Sequence, residues 1–454
     1  MLYLEKDPGF YKKLIRIALP VAMQSVITVG VNLIDTIMLG KLGETALSAS
    51  SLANQFIVLF IFMCMGISMG SSVLTGRFWG AGDMVSLKKV VTIAYRIGLG
   101  IALFFTVINF TFAEQIMGLY SDEYPVVQAG AEYLRWSTAT FLLMAMNTVS
   151  TNVIRSVGVN YISFVGALCS FFVNIGANYV LIFGKFGFPE MGIAGAALGT
   201  VIARVFEAGI VCSYVFLIDK KIRYRIKDLF GKCADMVREF LRISIPVMLS
   251  DTLLGVGESM LAVIMGHIGS QFVAANAITG VVQRLSTIFI SGIGHASCII
   301  TSQTLGEKRV EEAKKQGDTF LILGVVIGLL AAGVITVLKE PVINSYNITE
   351  DTKVIARELM NAISFIVVFR SANTILTKGV LRGGGDTKFL VFADTSMMWL
   401  IAIPLGAVAG LMLHLPSFWI YVCLYSDQVI KAIWCVFRLR GGKWIKKIQG
   451  VTGP

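Results

Sequence analysis

Among the ionisable side chains inside apolar stretches long enough to cross a bilayer, eleven stand out: the acids Asp35, Glu207, Asp251, Glu258, Asp394 and Asp427, and the bases Arg204, Arg284, Arg370, Lys378 and Lys431. An ionisable group in hydrocarbon costs at least about 2.5–3.5 kcal/mol, so each requires a partner, a water-filled cavity or a function. Arg204 and Glu207 are three apart, and Asp427 and Lys431 four apart, so each pair shares a helix face and can neutralise itself. Lys378 lies near one end of its stretch and can extend its ammonium toward the headgroups. Six charges remain: Asp35, Asp251, Glu258, Asp394, Arg284 and Arg370.

Asp251 and Glu258 are seven residues apart, about 700° of helical rotation, and so share a face. Glu258 stands near mid-membrane, where a carboxylate can carry a proton or a sodium ion, because burial favours the neutral acid and a bound cation favours the charged form. Glu258 and Asp251, together with Asp35, which stands three residues after the polar Asn32, are the expected cation-coupling residues, with H⁺ or Na⁺ as the ion; the competing reading of Glu258 is a structural pair with Arg284 or Arg370. Asn32 precedes Asp35 by three residues, and Asn174 and Asn178 are four apart on one face. These amides, with Gln283, Arg284, Arg370 and Asp394, are the expected substrate-binding set, although membrane amides equally serve interhelical hydrogen bonds.

The elements that must position these groups follow from composition. The 454 residues are 56% hydrophobic and 15% charged, far from the soluble average of about a quarter charged. Twelve apolar stretches predict transmembrane helices near 14–39, 46–76, 90–112, 128–154, 161–183, 192–217, 241–266, 272–302, 318–338, 354–381, 389–413 and 417–437. The fold class is an all-α polytopic membrane protein. An even number of spans puts both termini on one side, and the Lys/Arg bias of the short loops assigns that side to the cytoplasm. The excess of 39 Lys+Arg over 28 Asp+Glu is explained by this bias, without nucleic acid.

The seven Cys form no CxxC, the three His have no metal-ligand spacing, and neither a P-loop nor a nucleophile-elbow motif is present. Gly383-Gly384-Gly385-Asp386 lacks the Lys-Ser/Thr step of a phosphate cradle and reads as a tight turn. The expected protein is not an enzyme and uses no cofactor.

The chain repeats itself. Arg16-Ile17-Ala18-Leu19-Pro20 aligns with Arg242-Ile243-Ser244-Ile245-Pro246, an offset of 246 − 20 = 226, which also pairs Gly40 with Gly266, Gly66 with Gly292 and Gly80 with Gly306. An offset spanning six helices gives two parallel six-helix repeats, an N-lobe and a C-lobe around a central cavity, an arrangement that predicts secondary transport by alternating access. The expected organisation is an N-lobe at 1–218, a basic cytoplasmic linker at 219–240, a C-lobe at 241–437 and a basic cytoplasmic tail at 438–454.

Asp35-Thr36-Ile37-Met38-x-Gly40-x-x-Gly43, Asn174-x-x-x-Asn178-Tyr179-x-Leu181-Ile182-x-Gly184-Lys185-x-Gly187 and Val380-Leu381-Arg382-Gly383-Gly384-Gly385-Asp386-Thr387 resemble the multidrug and toxic compound extrusion (MATE) family over essentially the whole chain, its bacterial NorM branch more than its DinF branch. The resemblance implies a cation-coupled antiporter of drugs, with Glu258 at the NorM branch's membrane glutamate and Asp35 at the family's first-span carboxylate. Two departures stand out. Asn178 occupies a position that is Asp in the DinF branch, and Ser371, beside Arg370, stands where the NorM branch has a tenth-span Asp. A lone Glu258 facing Arg370 or Arg284 makes the pocket nearly charge-balanced, which weakens a preference for lipophilic cations and admits zwitterionic or anionic substrates.

The expected function is therefore export of small amphipathic compounds in exchange for H⁺ or Na⁺, by a monomer in the cytoplasmic membrane whose partners are its small-molecule substrate and lipid. A flippase for a lipid-linked precursor would need several bases in its cavity. An intramembrane transferase would need an Asp-rich cluster or a His in a span, at spacings this sequence lacks.

Overall fold

A computed structural model of the protein describes residues 3–346 and 348–446, with the side chain of Ser270 left out. The first half comprises α1 (Pro8–Gly40), α2 (Glu44–Ala81), α3 (Met84–Gly118), α4 (Tyr124–Trp136), α5 (Ala139–Ser156), α6 (Tyr161–Phe183) and α7 (Gly192–Ile218). The second comprises α8 (Ala234–Ile268), α9 (Ser270–Gly306), α10 (Val310–Ser345), α11 (Glu350–Leu381), α12 (Thr387–Met412), α13 (Ser417–Leu424) and α14 (Ser426–Arg440). Among the described residues there is no strand. Ten helices among the described residues are long and apolar enough to cross a membrane, and α13 with α14 forms an eleventh candidate bent by 44°. This is a multi-pass membrane protein.

The expected fourth span is two shorter helices, α4 and α5. Asn109 of α3 explains the break: its amide donates to the Leu134 carbonyl at 2.6 Å and to the Thr138 hydroxyl at 2.9 Å. A side chain inserted into the helical ladder at this point opens it.

The chain divides into two compact units: Met1–Ala22, Gly76–Gly82 and Leu249–Pro454 in one, Met23–Thr75 and Asp83–Met248 in the other. The expected boundaries at 218 and 241 divide the chain by its repeat, whereas the packing divides along α1 and α8. The first parts of α1 and α8 are exchanged between the two units, and the exchange points, Ala22 and Met248, are one repeat of 226 residues apart. Long helices allow this, because a spanning helix is about 30 Å long or more and its two ends can pack in different clusters.

The repeat recurs in matched contacts. A Cβ on Gly66 of α2 would stand 2.5 Å from Met248 Cα, and one on Gly70 2.7 Å from Ser244 Cα. One repeat later, a Cβ on Gly292 of α9 would stand 2.7 Å from the Ala18 carbonyl and 3.2 Å from Ala22 Cβ. Gly80 against the Gln303 backbone and Gly306 against the Arg77 backbone form a second matched pair. Small residues at these positions let helix backbones approach closely, which is how membrane helices gain packing energy. Gly66→Ala should consequently cost about 1–3 kcal/mol through overpacking, read as a lowered melting temperature in detergent. Gly40→Ala, where nothing lies within 4 Å of the new methyl, should not.

The segment between the halves is an ordered strap on α3. Lys88 donates to the Arg223 carbonyl at 2.8 Å and pairs with Asp228 at 2.9 Å, Lys89 pairs with Asp235 at 2.6 Å, and Arg96 donates to the Leu229 carbonyl at 2.9 Å. Burial pushes the Asp228 carboxyl up, but the hydrogen bonds from Lys88 and the Arg225 backbone together with the charges of Lys88 and Lys227 outweigh it and hold the group below its ordinary value. Helix α8 begins within the expected linker, at Ala234 rather than at 241. Of the expected tail, residues 447–454 lie outside the described residues. Its beginning is packed: Arg438 pairs with Asp386 at 2.7 Å, and Trp444 is buried against Gly384.

Candidate functional site

The unit containing α9 to α14 forms an open cavity of about 730 Å³, within the size range of small-molecule pockets. Helix α8 contributes Glu258 and Met265; α9 contributes Asn276, Gln283, Arg284 and Thr287; α11 contributes Arg370, Thr374 and Lys378; Tyr425 enters from the bend before α14. The α11 residues are four apart, and the α9 residues fall at intervals of seven, one and three, so each set forms a stripe on one helix face. A π-helical turn at Ile375–Leu381 carries Lys378. Such turns are commonly retained at functional sites because they re-aim a side chain. On α8, Gly257 admits the Met398 side chain of α12: its Cβ would lie 2.7 Å from Met398 Cγ.

Within the cavity Glu258 Oε1 lies 3.7 Å from Arg370 Nη2, and the Arg370 guanidinium sits 5.6 Å from the centre of the Tyr425 ring. Tyr425 packs on Tyr421 with centroids 4.6 Å apart, and the Tyr421 hydroxyl donates to Gln283 Oε1 at 3.4 Å. The Glu258 side chain is 62% exposed, so its carboxylate is open to the cavity. The arrangement brings together Glu258, Gln283, Arg284 and Arg370. It adds Lys378 and Tyr425, neither of which was expected there; the four-residue spacing of Arg370, Thr374 and Lys378 was the available signal.

Two expected site residues of this unit lie outside the cavity. Asp251, expected to couple cations, does not line this cavity: both of its oxygens accept from Arg382, at 3.1 and 3.4 Å, and Arg382 is buried. Arg382 ends the π-helical turn, where it is buried. Asp394, expected to bind substrate, is held at 2.9 Å by Lys431 and accepts from Ser250 at 2.6 Å. Lys431 also reaches Asp427 at 3.5 Å, so the expected Asp427–Lys431 pair is a buried three-membered cluster. Gln428 donates to Asp427 at 2.7 Å and accepts from Asn373 at 2.8 Å.

In the other unit Asn178 donates to Asp35 Oδ1 at 2.7 Å and to Asn174 Oδ1 at 3.3 Å. Asn32 and Asn174 line a crevice of about 40 Å³ with Arg204 and Glu207, which pair at 2.6 Å as their spacing predicts. That volume is far below the roughly 300 Å³ at which small-molecule pockets begin, so Asn32 and Asn174 border no substrate-sized space in this conformation. Asn174 and Asn178 are buried and serve to orient Asp35. Asp35→Asn should leave the fold intact, because an amide can still accept from Asn178, and should reduce transport through loss of the carboxylate. A normal transport rate in purified variant protein would assign Asp35 to the scaffold.

The MatE family model matches residues 20–180 and again residues 246–408. The chain belongs to the MatE family. The two matches begin 226 residues apart, at Pro20 and Pro246, so the family pattern occurs once per repeat of this MatE chain. It is 24% identical over 448 residues to the probable multidrug resistance protein NorM of Thermotoga maritima, covering 98% of this chain and 96% of that one. It is 23% identical over 415 residues to the uncharacterized transporter YisQ of Bacillus subtilis, covering 91% of this chain and 90% of that one. In fold it resembles the crystal structure of MATE in complex with MaL6, with a TM-score of 0.85 at 19% identity over 95% of this chain and 97% of that one. This MatE protein is a transporter, not an enzyme.

Proposed function

We propose that this MatE protein is a secondary active antiporter that exports small amphipathic organic compounds across the cytoplasmic membrane by alternating access, in exchange for H⁺ or Na⁺. The observation that carries the reading is Glu258, a carboxylate open to a substrate-sized cavity and paired with Arg370. A carboxylate so placed changes its interactions when it takes up a proton or a sodium ion, which gives ion and substrate a common point of competition. Asp35, held by Asn178, is a second candidate for coupling in the other unit. The bias of Lys and Arg toward one set of loops supports cytoplasmic termini. The protein acts as a monomer in lipid.

Dye efflux from inverted vesicles, with proton and sodium gradients imposed separately, tests this reading: efflux should follow one of the gradients. A second reading is favoured by a specific observation, the convergence of Arg284, Arg370 and Lys378 on one cavity. Those bases suit a flippase for a lipid-linked precursor, which would move a labelled polyprenyl phosphate without any ion gradient.

A further inference from the structure

The cavity of the unit containing α9 to α14 holds three cations, Arg284, Arg370 and Lys378, and one carboxylate, Glu258. Glu258 is engaged by Arg370 at 3.7 Å. Among the described residues neither Arg284 nor Lys378 forms an ion pair, and the nearby acids are committed elsewhere, Asp251 to Arg382 and Asp394 to Lys431. The cavity thus carries two cationic charges that no ion pair neutralises, Lys378 lying only within electrostatic reach of Asp251, in a lobe whose walls are apolar helices. Charge in such surroundings is costly until an opposite charge or water meets it. Low-dielectric walls also focus the field into the cleft and concentrate ligands of opposite sign.

The remaining lining has two characters. Gln283, Asn276, Thr287 and Thr374 offer hydrogen bonds, while Ala262, Met265, Val281 and Ile290 offer an apolar floor. Arg284 and Arg370 present planar guanidinium forks, which match carboxylate, sulfonate and phosphate oxygens.

We propose that this cavity binds an amphipathic organic anion, with Arg284 and Lys378 taking its negative group and the aliphatic floor taking its apolar body. The inference rests on the transporter reading and names the substrate class of that same site. Arg370 positions Glu258 against the ligand: an anion that recruits Arg370 weakens its hold on Glu258 and leaves that carboxylate to the coupling ion. The anion can come from two sources, a soluble organic acid or the phosphate head of a lipid-linked precursor.

Equilibrium binding to the purified full-length protein separates these possibilities, read by fluorescence anisotropy without any gradient. The probes are fluorescein, an anion, and tetramethylrhodamine methyl ester, a cation on the same xanthene frame. Fluorescein should bind the more tightly. The double variant Arg284→Gln/Lys378→Gln should weaken fluorescein about tenfold, as expected for two partly solvated charge contacts, and leave the rhodamine unchanged or tighter. Both side chains are exposed to the cavity and pair with no acid, so the variant's melting temperature should match the wild type and report an intact fold. Competition by NBD-labelled farnesyl phosphate assigns the lipid-linked source; fluorescein binding that this lipid does not displace assigns a soluble anion. Rhodamine binding as tight as fluorescein, no fluorescein binding, or an unchanged probe ratio in the double variant would overturn the proposal. Because binding is measured without transport, an antiporter that fails to pump leaves this result readable, and a cation preference in a working pump removes only the anion assignment.

Discussion

Lys431→Met is expected to destabilise the protein by about 3–5 kcal/mol, the cost of removing one partner from a buried ionic cluster. The side chains of Lys431, Asp394 and Asp427 are 3%, 5% and 0% exposed. Without the ammonium, two carboxylates face each other across α12 and α14 with only Ser250 and Gln428 as donors. The melting temperature in detergent should drop sharply and the yield of folded protein with it. Adding Asp394→Asn should recover much of the loss, since it removes one of the opposed charges, and that recovery separates electrostatic strain from a packing defect. A single variant that melts like the wild type would show that the cluster contributes nothing to the fold.

Glu258→Gln is expected to abolish gradient-driven transport while leaving the melting temperature nearly unchanged. The substitution keeps the side-chain volume and removes only the oxygen that takes up a proton or helps ligate a cation. The side chain is 62% exposed and its contact to Arg370 is long, 3.7 Å, so little stability depends on it. Arg370 keeps its place over the Tyr425 ring. The informative comparison is with substrate exchange in the absence of a gradient, which should persist in the variant. Gradient-driven efflux at the wild-type rate would remove Glu258 from the coupling machinery.

The sequence carried local and periodic information best. The 226-residue repeat, the membrane helices, and the Arg204–Glu207 pair all follow from spacing along the chain. The exchange of the first parts of α1 and α8 between units did not, since it depends on which helices meet over a long span and no local pattern records it. The charges divide the same way. Asp251 with Arg382 is separated by 131 residues and Asp394 lies far along the chain from Lys431, so both acids looked unpartnered and were assigned to the site. The cavity was partly legible: Glu258, Gln283, Arg284 and Arg370 were expected together, and Lys378 was set aside because a lysine near a helix end usually reaches for headgroups. The π-helical turn that carries Lys378 and ends beside Arg382 has no sequence signature that distinguishes it from ordinary helix.

The central claim, ion-coupled antiport through the Glu258 cavity, is tested most directly by reconstituting the wild type and Glu258→Gln in proteoliposomes. Accumulation of one transported dye is followed under a proton gradient alone, a sodium gradient alone and no gradient. The account predicts that one of the two gradients drives the wild type past equilibrium and that the same gradient leaves the variant at the no-gradient level. Dye that merely equilibrates in the wild type under every gradient, or a variant that accumulates it as fully as the wild type, would contradict it.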